Sequence, residues 1–170
     1  LKTGNVIKFL DKKVSLNIGV NGEKSHGFSS LRDDQSSYLE KDGYNSYNGN
    51  FLVDYNISKN TKLNFGLRYT YHGNEYDDFY STPGDTSTHV RYDKQFAGIL
   101  NLTHITKDTQ QQLIVQPSRS SRINRTSATY EYDSIRKKIE YLINKKVSSK
   151  FSILVGSEYL KLDADMTGEL

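Results

Sequence analysis

The chain contains no cysteine among its 170 residues, so it can form neither a disulfide framework nor a thiolate centre. Zinc and iron–sulfur sites with cysteine ligands are excluded for the same reason. No run of about 18 apolar residues exists, which excludes a membrane-spanning helix. The 23 basic and 20 acidic residues give a net charge of only +3, which argues against a nucleic-acid-binding protein.

Motifs of catalysis and targeting are also missing. There is no nucleophile–base pair, phosphate-binding loop or glycine-rich dinucleotide signature, and we therefore expect no enzyme. The four histidines lack metal-ligand spacing and are expected on a surface or in a lumen: His26, His72, His89 and His104. Residues 1–4 lack the layout of a signal peptide, and the first residue is not methionine. The sequence is therefore expected to be part of a longer protein.

Hydrophobic residues make up only 35% of the chain, a level at which disorder is one interpretation. The 13 tyrosines and 7 phenylalanines oppose it, because disordered chains are poor in aromatic residues. The apolar residues are also patterned, most clearly in residues 43–78. Two arms there, 47–57 and 63–71, place apolar or aromatic residues at every second position. Such alternation predicts one long β-hairpin with an apolar, tyrosine-rich face and a polar face.

The same alternation recurs along the chain and predicts about eight long strands. Further strands are expected at 5–10, 14–21, 90–102, 113–117, 135–143 and 151–159, followed by a polar tail at 163–170. Short turns are expected at 11–13, 58–61, 106–109 and 147–150. They alternate with long polar loops at about 23–42, 77–89 and 118–129.

This alternation of short and long connections is typical of an antiparallel up-and-down meander in a transmembrane β-barrel. A soluble β-sandwich gives no reason for every second connection to be long. The tyrosines near the strand ends fit the aromatic girdles of such a barrel as a set, although strand propensity explains each one singly. In the barrel, residues of one parity would face lipid, namely 51, 53, 63, 65 and 67, while Asn64, Arg68 and Thr70 would face the lumen.

Acidic residues concentrate in the first two long loops and beside them: Asp33, Asp34, Glu40, Asp42, Glu75, Asp77, Asp78 and Asp85. These two loops flank one hairpin, so their carboxylates are able to converge. Carboxylate oxygens gathered from loops suit calcium, which takes six to eight oxygen ligands in irregular geometry. No EF-hand spacing is present, so solvated loops without a metal stay open as the alternative.

Three phrases in a fixed order resemble the TonB-dependent outer-membrane receptors. They are SHGFS at 25–29, EKDGY at 40–44 and NEYDDFY at 74–80, with Pro83 and Gly84 after the last. The phrase at 42–44 is common across this family, whereas the order of all three is more typical of the cobalamin (vitamin B12) branch in Gram-negative bacteria. The resemblance covers about residues 14 to 162.

The resemblance implies that residues 1–170 are a partial barrel domain in the outer membrane, from the early strands of a barrel of about 22 strands. The plug, the TonB-binding segment and the remaining strands are not in the sequence. The implied activity is active import of cobalamin, driven through the plug by the TonB complex, with a siderophore or haem receptor as the alternative. Two rival hypotheses are a complete eight-stranded structural or adhesion barrel and a soluble β-sandwich binding module.

The resemblance also implies ligands. In cobalamin receptors the early outer loops bind calcium, and Glu40, Asp42, Asp77 and Asp85 match the acidic positions. Ser29 stands where those receptors place an acid, which weakens a calcium cage. The substitutes are Asp33, Asp34 and Asp78. No covalent cofactor and no nucleic acid are implied.

Lipid and small-molecule partners are also expected. Outer-membrane lipid and lipopolysaccharide would surround the barrel, and the substrate would contact the three long loops, 23–42, 77–89 and 118–129. Basic residues in and after the third loop are expected to be solvated, with lipopolysaccharide or another anionic ligand as the alternative: Arg119, Arg122, Arg125, Arg136, Lys137 and Lys138.

Overall fold

The structure of the protein, a computed structural model, describes residues 2–9, 13–27, 41–76, 89–126 and 128–169. Eight strands occupy these residues: β1 (Lys2–Phe9), β2 (Val14–Ser25), β3 (Tyr44–Asn56), β4 (Thr61–Glu75), β5 (Val90–Ile105), β6 (Thr109–Arg125), β7 (Thr129–Lys146) and β8 (Ser152–Glu169). They form one antiparallel sheet in chain order, which confirms the predicted all-β meander. No helix within the described ranges is long and apolar enough to cross a membrane.

Tight turns join the strands at one end of the sheet, which we call the turn-side end. In the β3–β4 turn the backbone N–H of Ser58 donates to the carbonyl of Thr61 at 3.2 Å. The N–H of Thr106 donates to the carbonyl of Thr109 at 2.8 Å, and that of Val147 to the carbonyl of Phe151 at 2.9 Å. These bonds confirm the turns predicted at 58–61, 106–109 and 147–150. The opposite end of the sheet is the loop-side end.

The predicted loop at 118–129 is wrong. β6 continues through Pro117 to Arg125, and β7 begins at Thr129, so only three residues of sequence separate them. The serine- and arginine-rich segment is a strand because it pairs on both sides; Ser120, for example, lies opposite Gln95 and Ser134. The polar tail predicted at 163–170 is wrong for the same reason, since β8 pairs with β7 as far as Glu169.

Pro117 lies inside β6, where the sequence predicted the end of a strand. The β5–β6 register is the same on both sides of it, from Ala97 opposite Ser118 to Leu100 opposite Val115, but the ladder is interrupted between these pairs. Proline has no N–H to contribute to a ladder. A Cβ at Gly98 would lie 3.2 Å from Cγ of Pro117, so the missing side chain of Gly98 leaves room for the proline ring.

The registers separate the sheet into two faces, because residues opposite each other in an antiparallel pair share a face. The apolar face carries Val14, Leu16, Ile18, Val20, Tyr47, Phe51, Val53, Tyr55, Leu63, Phe65, Leu67, Tyr69, Tyr71, Phe96, Leu100, Leu102, Leu113, Val115, Ile139, Tyr141, Ile143, Ile153, Val155 and Tyr159. The polar face carries Asn17, Asn48, Asn50, Asn64, Arg68, Thr70, Gln95, Asn101, Gln112, Gln116 and Ser120. Single apolar residues also lie on the polar face of four strands, namely Leu52, Ile99, Ile114 and Leu142. β8 departs most from this division, since Leu154, Leu160, Leu162 and Met166 lie on its polar face.

The sheet is a single layer with almost no interior. Among the described apolar residues only Val14 is buried, with 8% of its surface exposed. Ile18, Tyr69 and Phe96 stay almost half exposed although they lie within the apolar face. β1 and β8 are the two edges of the described sheet and do not pair with each other. The apolar face is therefore one continuous surface that no other described residue covers.

The extension of β6 and β7 predicts which cysteines will cross-link. Ser120 lies directly opposite Ser134, whereas Ser118 lies opposite Arg136. Opposite residues have Cβ atoms about 4.5–5.5 Å apart and diagonal neighbours about 7–8 Å apart, while a disulfide needs about 3.5–4.5 Å. In the intact protein, S120C/S134C is expected to form a disulfide under mild oxidation, and S118C/S134C to stay reduced, as measured by mobility on non-reducing gels. Equal cross-linking of both pairs would contradict this register.

Candidate functional site

The candidate site is the loop-side rim of β2, β3, β4 and β5, where the first two long segments leave the sheet. The N–H of Gly43 donates to Oε2 of Glu75 at 2.8 Å, and the N–H of Glu75 donates to the carbonyl of Gly43 at 2.9 Å. The N–H of Tyr76 donates to the carbonyl of His89 at 3.1 Å. These bonds join the base of the first loop to that of the second. The cleft above them is lined by Lys24, His26, Gly43, Tyr44, Asn74, Glu75 and Tyr92.

Gly27 fixes the base of the first loop. Its φ of 61° is in the left-handed region that glycine adopts without strain. A Cβ at Gly27 would lie 1.7 Å from the carbonyl oxygen of Asp42, so no side chain fits there. The N–H of Gly27 donates to Oγ of Ser25 at 3.1 Å. Glycine at this position therefore lets the segment after β2 pass directly against the segment before β3.

Tyr44 connects the rim to β2. Its hydroxyl donates to Oε1 of Glu23 at 2.7 Å, and this bond, which forms only while the tyrosine is protonated, raises the pKa of Tyr44. The Tyr44 ring lies 6.0 Å from that of His72 on the neighbouring strand. The contacts hold a hydroxyl, an imidazole and a carboxylate together on the polar face of the rim.

A charged cluster lies next to the rim on β5 and β6. Nε of Arg91 and Nε of Arg122 each lie 2.7 Å from one oxygen of Asp93. Partial burial alone would raise the pKa of the Asp93 carboxyl, but the hydrogen bonds from Arg122 and Arg91 outweigh it and the pKa lies below its usual range. His72 lies opposite Asp93 in the register. With two arginines on one carboxylate, the cluster carries an excess of positive charge on the polar face.

Most of the predicted calcium ligands lie outside the described residues. Those are Glu40, Asp77 and Asp85, the substitutes Asp33, Asp34 and Asp78, and also Ser29. Asp42 is described, half-buried and held against Gly27. Within the described part of the chain, no three His, Asp or Glu side chains are grouped closely enough to hold a metal ion. The calcium site stays a prediction.

The structure describes the three predicted substrate loops to different extents. Residues 23–25 of the first belong to β2, and 28–40 lie outside the described residues. Residues 77–88 of the second also lie outside them. The third is strand, and its basic residues alternate between faces: Arg119, Arg125 and Lys137 lie on the apolar face, and Arg122, Arg136 and Lys138 on the polar face. His89, expected on a surface or in a lumen, is buried with 5% exposed and packs against Tyr76.

Sequence reasoning missed two contacts at this end of the sheet. Glu75 belongs to the acidic set but holds the backbone of Gly43. The pairing of Arg122 with Asp93 joins residues on separate strands. Arg91 and Asp93 share a face by their spacing of two, which was the one local signal for this cluster.

No protein-family model matches this chain, and no curated protein matches it. The class is therefore defined by the fold, which is an antiparallel β-meander in a single layer, with one apolar and one polar face. The rim gathers polar and charged side chains at one end of this sheet.

Proposed function

We propose that this chain is part of a transmembrane β-barrel of the outer membrane, with its apolar face toward lipid and its polar face toward the lumen. The observation that carries the proposal is the course of the apolar residues across the sheet. They form a band that crosses the rows of paired residues diagonally.

From β4 onward, the loop-side end of the band moves toward the turns. On β4 it ends at Tyr71, which lies opposite Lys94. On β5 the unbroken apolar stretch ends two residues closer to the turns, at Phe96, which lies opposite Arg119. Lys94 separates Phe96 from Tyr92 on this face. On β6 the band ends two residues closer again, at Pro117.

The turn-side end of the band moves in the same direction. The row that begins at Leu63 on β4 passes through Leu102, Leu113 and Tyr141 and reaches β8 at Ser157. The apolar stretch of β8 begins four residues closer to the turns, at Ile153. From β4 to β8 the turn-side end therefore shifts by four residues and the loop-side end by six, from Tyr71 to Tyr159, which lies in the same row as Phe65.

Strand tilt explains this shift. Neighbouring strands lie about 4.8 Å apart. If they tilt by about 40°, as in barrels, the residues at one membrane depth shift along each successive strand by about 4 Å, which is a little more than one residue. The observed shifts over four strands, four residues at the turn-side end and six at the loop-side end, lie on either side of this value. The stretch from Leu63 to Tyr71 on β4, tilted in this way, would span roughly 20–25 Å. That is close to the height of the lipid-facing band of outer-membrane barrels, about 25 Å.

Lipid is the energetically favoured cover of the apolar face. Each large apolar side chain left in water forgoes about 1.5–3 kcal/mol of burial free energy, and about twenty such residues share this face. A soluble sandwich would cover them with a second sheet, but the described residues form a single sheet. A complete eight-stranded barrel would pair β1 with β8, which are both edges here.

Within this class we propose a TonB-dependent receptor, with cobalamin as substrate. The described residues of the three phrases that resemble this family lie side by side at the rim, which supports the proposal. Ser25 of the first phrase lies opposite Tyr44 of the second, and Tyr44 lies opposite Asn74 of the third. A siderophore or haem is the alternative substrate. Calcium held by the acidic residues of the two loops would order them for substrate.

A charge on the apolar face is expected to destabilise the barrel in lipid. Leu67 lies in the middle of the β4 stretch, and Leu67→Lys should cost about 2–4 kcal/mol near the bilayer midplane. The matched control Thr70→Lys, on the polar face of the same strand, should change stability by less than about 0.5 kcal/mol. Denaturant unfolding of the intact protein in lipid vesicles measures both. Equal costs would contradict the proposed orientation.

The substrate and the metal are tested together by titration. The intact protein in detergent should bind cobalamin, and added calcium should tighten binding because it orders the loops. D42N/D77N should remove the calcium effect and leave weaker, calcium-independent binding of cobalamin. Calorimetry with cobalamin, a ferric siderophore and haem separates the candidate substrates. Absence of heat with cobalamin, with or without millimolar calcium, would exclude the cobalamin assignment.

A further inference from the structure

Four cations, one on each of β5 to β8, follow the loop-side edge of the apolar band. On each of these strands, the basic residue lies on the apolar face, two positions from the last apolar residue of the band in the direction of the loop-side end. These residues are Lys94 after Phe96, Arg119 after Pro117, Lys137 after Ile139 and Lys161 after Tyr159. We call this set the cationic belt.

The belt keeps a constant position relative to the band rather than to the rows of the sheet. Lys94 lies opposite Tyr71, Arg119 opposite Phe96 and Lys137 opposite Pro117. The last apolar residue of each of β4, β5 and β6 therefore faces the cation of the next strand. From β5 to β7 the belt moves two residues toward the turns at each strand, and on β8 it stays level, because Lys161 lies opposite Lys137. On all four strands it follows the loop-side edge of the apolar band.

The charge of the belt is not fully balanced within the protein. Among the described residues, Lys94 and Lys137 form no ion pair. Arg119 lies 2.9 Å from Asp133 and Lys161 lies 3.1 Å from Asp163, but both pairs are largely exposed. Exposed ion pairs contribute little, so a stronger anion is able to compete for these two cations.

The described structure also shows a groove at the belt. It is lined by Tyr69, Lys94, Gln95, Phe96, Arg119 and Ser121, between β4, β5 and β6. Two aromatic rings form its apolar side, on the edge of the band, and two cations and a hydroxyl form its polar side. A lipid whose headgroup carries a phosphate is complementary to this groove, because its acyl chains can contact the aromatic side and its phosphate the cationic side.

We propose that the cationic belt binds phosphate groups on lipid headgroups, in the membrane leaflet at the loop-side end of the barrel. The proposal rests on the orientation given above, because the belt meets headgroups only where the apolar face meets lipid. Lys and Arg coordinate the phosphate oxygens, and the groove holds the first part of the acyl chains against Tyr69 and Phe96. The site selects lipids with a phosphate-bearing headgroup among the neighbours of the barrel.

The test compares two matched charge removals in the intact protein in nanodiscs of neutral lipid. K94Q/K137Q removes the two belt cations that have no ion pair. R68Q/R136Q removes two cations from the polar face. Binding of fluorescent bisphosphorylated lipid A is expected to weaken about tenfold or more in K94Q/K137Q, and to stay within about twofold of the unsubstituted protein in R68Q/R136Q.

Several results would overturn the proposal. Unchanged binding in K94Q/K137Q, or equal losses in both variants, would show that the belt is not the site. Displacement of lipid A by inorganic phosphate at millimolar concentration would show a site for free phosphate rather than for a lipid. If Leu67→Lys destabilises the barrel while K94Q/K137Q still binds lipid A normally, only this inference fails. If Leu67→Lys is neutral, the proposed orientation fails first.

Discussion

The structure depends on the antiparallel register, which is kept across all eight strands. Because opposite residues share a face, one unbroken register turns the separate alternating patterns of β2 to β7 into one mainly apolar surface and one mainly polar surface. A slip of one residue at a single strand would place that strand's apolar side chains on the polar face. The register does not slip even at Pro117, where the hydrogen-bonded ladder is interrupted. The apolar surface is therefore continuous, and whatever shields it from water must extend over all of these strands.

The same register explains how much of the fold could be predicted from sequence. Where one face is apolar and the other polar, alternation identifies the strand, as in residues 47–57 and 63–71. Beyond the apolar band the strands continue with polar residues on both faces, as at Ser118, Ser120 and Ser121 on β6. Alternation disappears there, and the composition resembles that of a loop. Those parts are strands because of their partners on β5 and β7, and such partners are distant in sequence.

The rim was predicted in outline but not in its contacts. The acidic residues and the three phrases indicated that distant segments meet beside the β3–β4 hairpin, and Ser25, Tyr44 and Asn74 do lie side by side. The bond from Gly43 to Glu75 and the pairing of Asp93 with Arg122 depend on which residues the register brings together. Gly27 could be recognised only from its backbone angle and its contact with Asp42. The cationic belt likewise became visible only when the strands were aligned.

The proposed barrel is tested most directly by the depth of single spin labels in a lipid bilayer. The labels are attached to introduced cysteines, and the chain has no cysteine of its own that would also react. Cysteines at 63 to 70 should alternate between access to oxygen in lipid, at odd positions, and access to a water-soluble nickel complex, at even positions. Tyr69 and Asp163 share one row of the sheet through Phe96, Arg119 and Ile135. Because the band is diagonal, a label at 69 should lie in lipid and one at 163 in water. Equal depth at 69 and 163, or no alternation along β4, would contradict the proposed barrel.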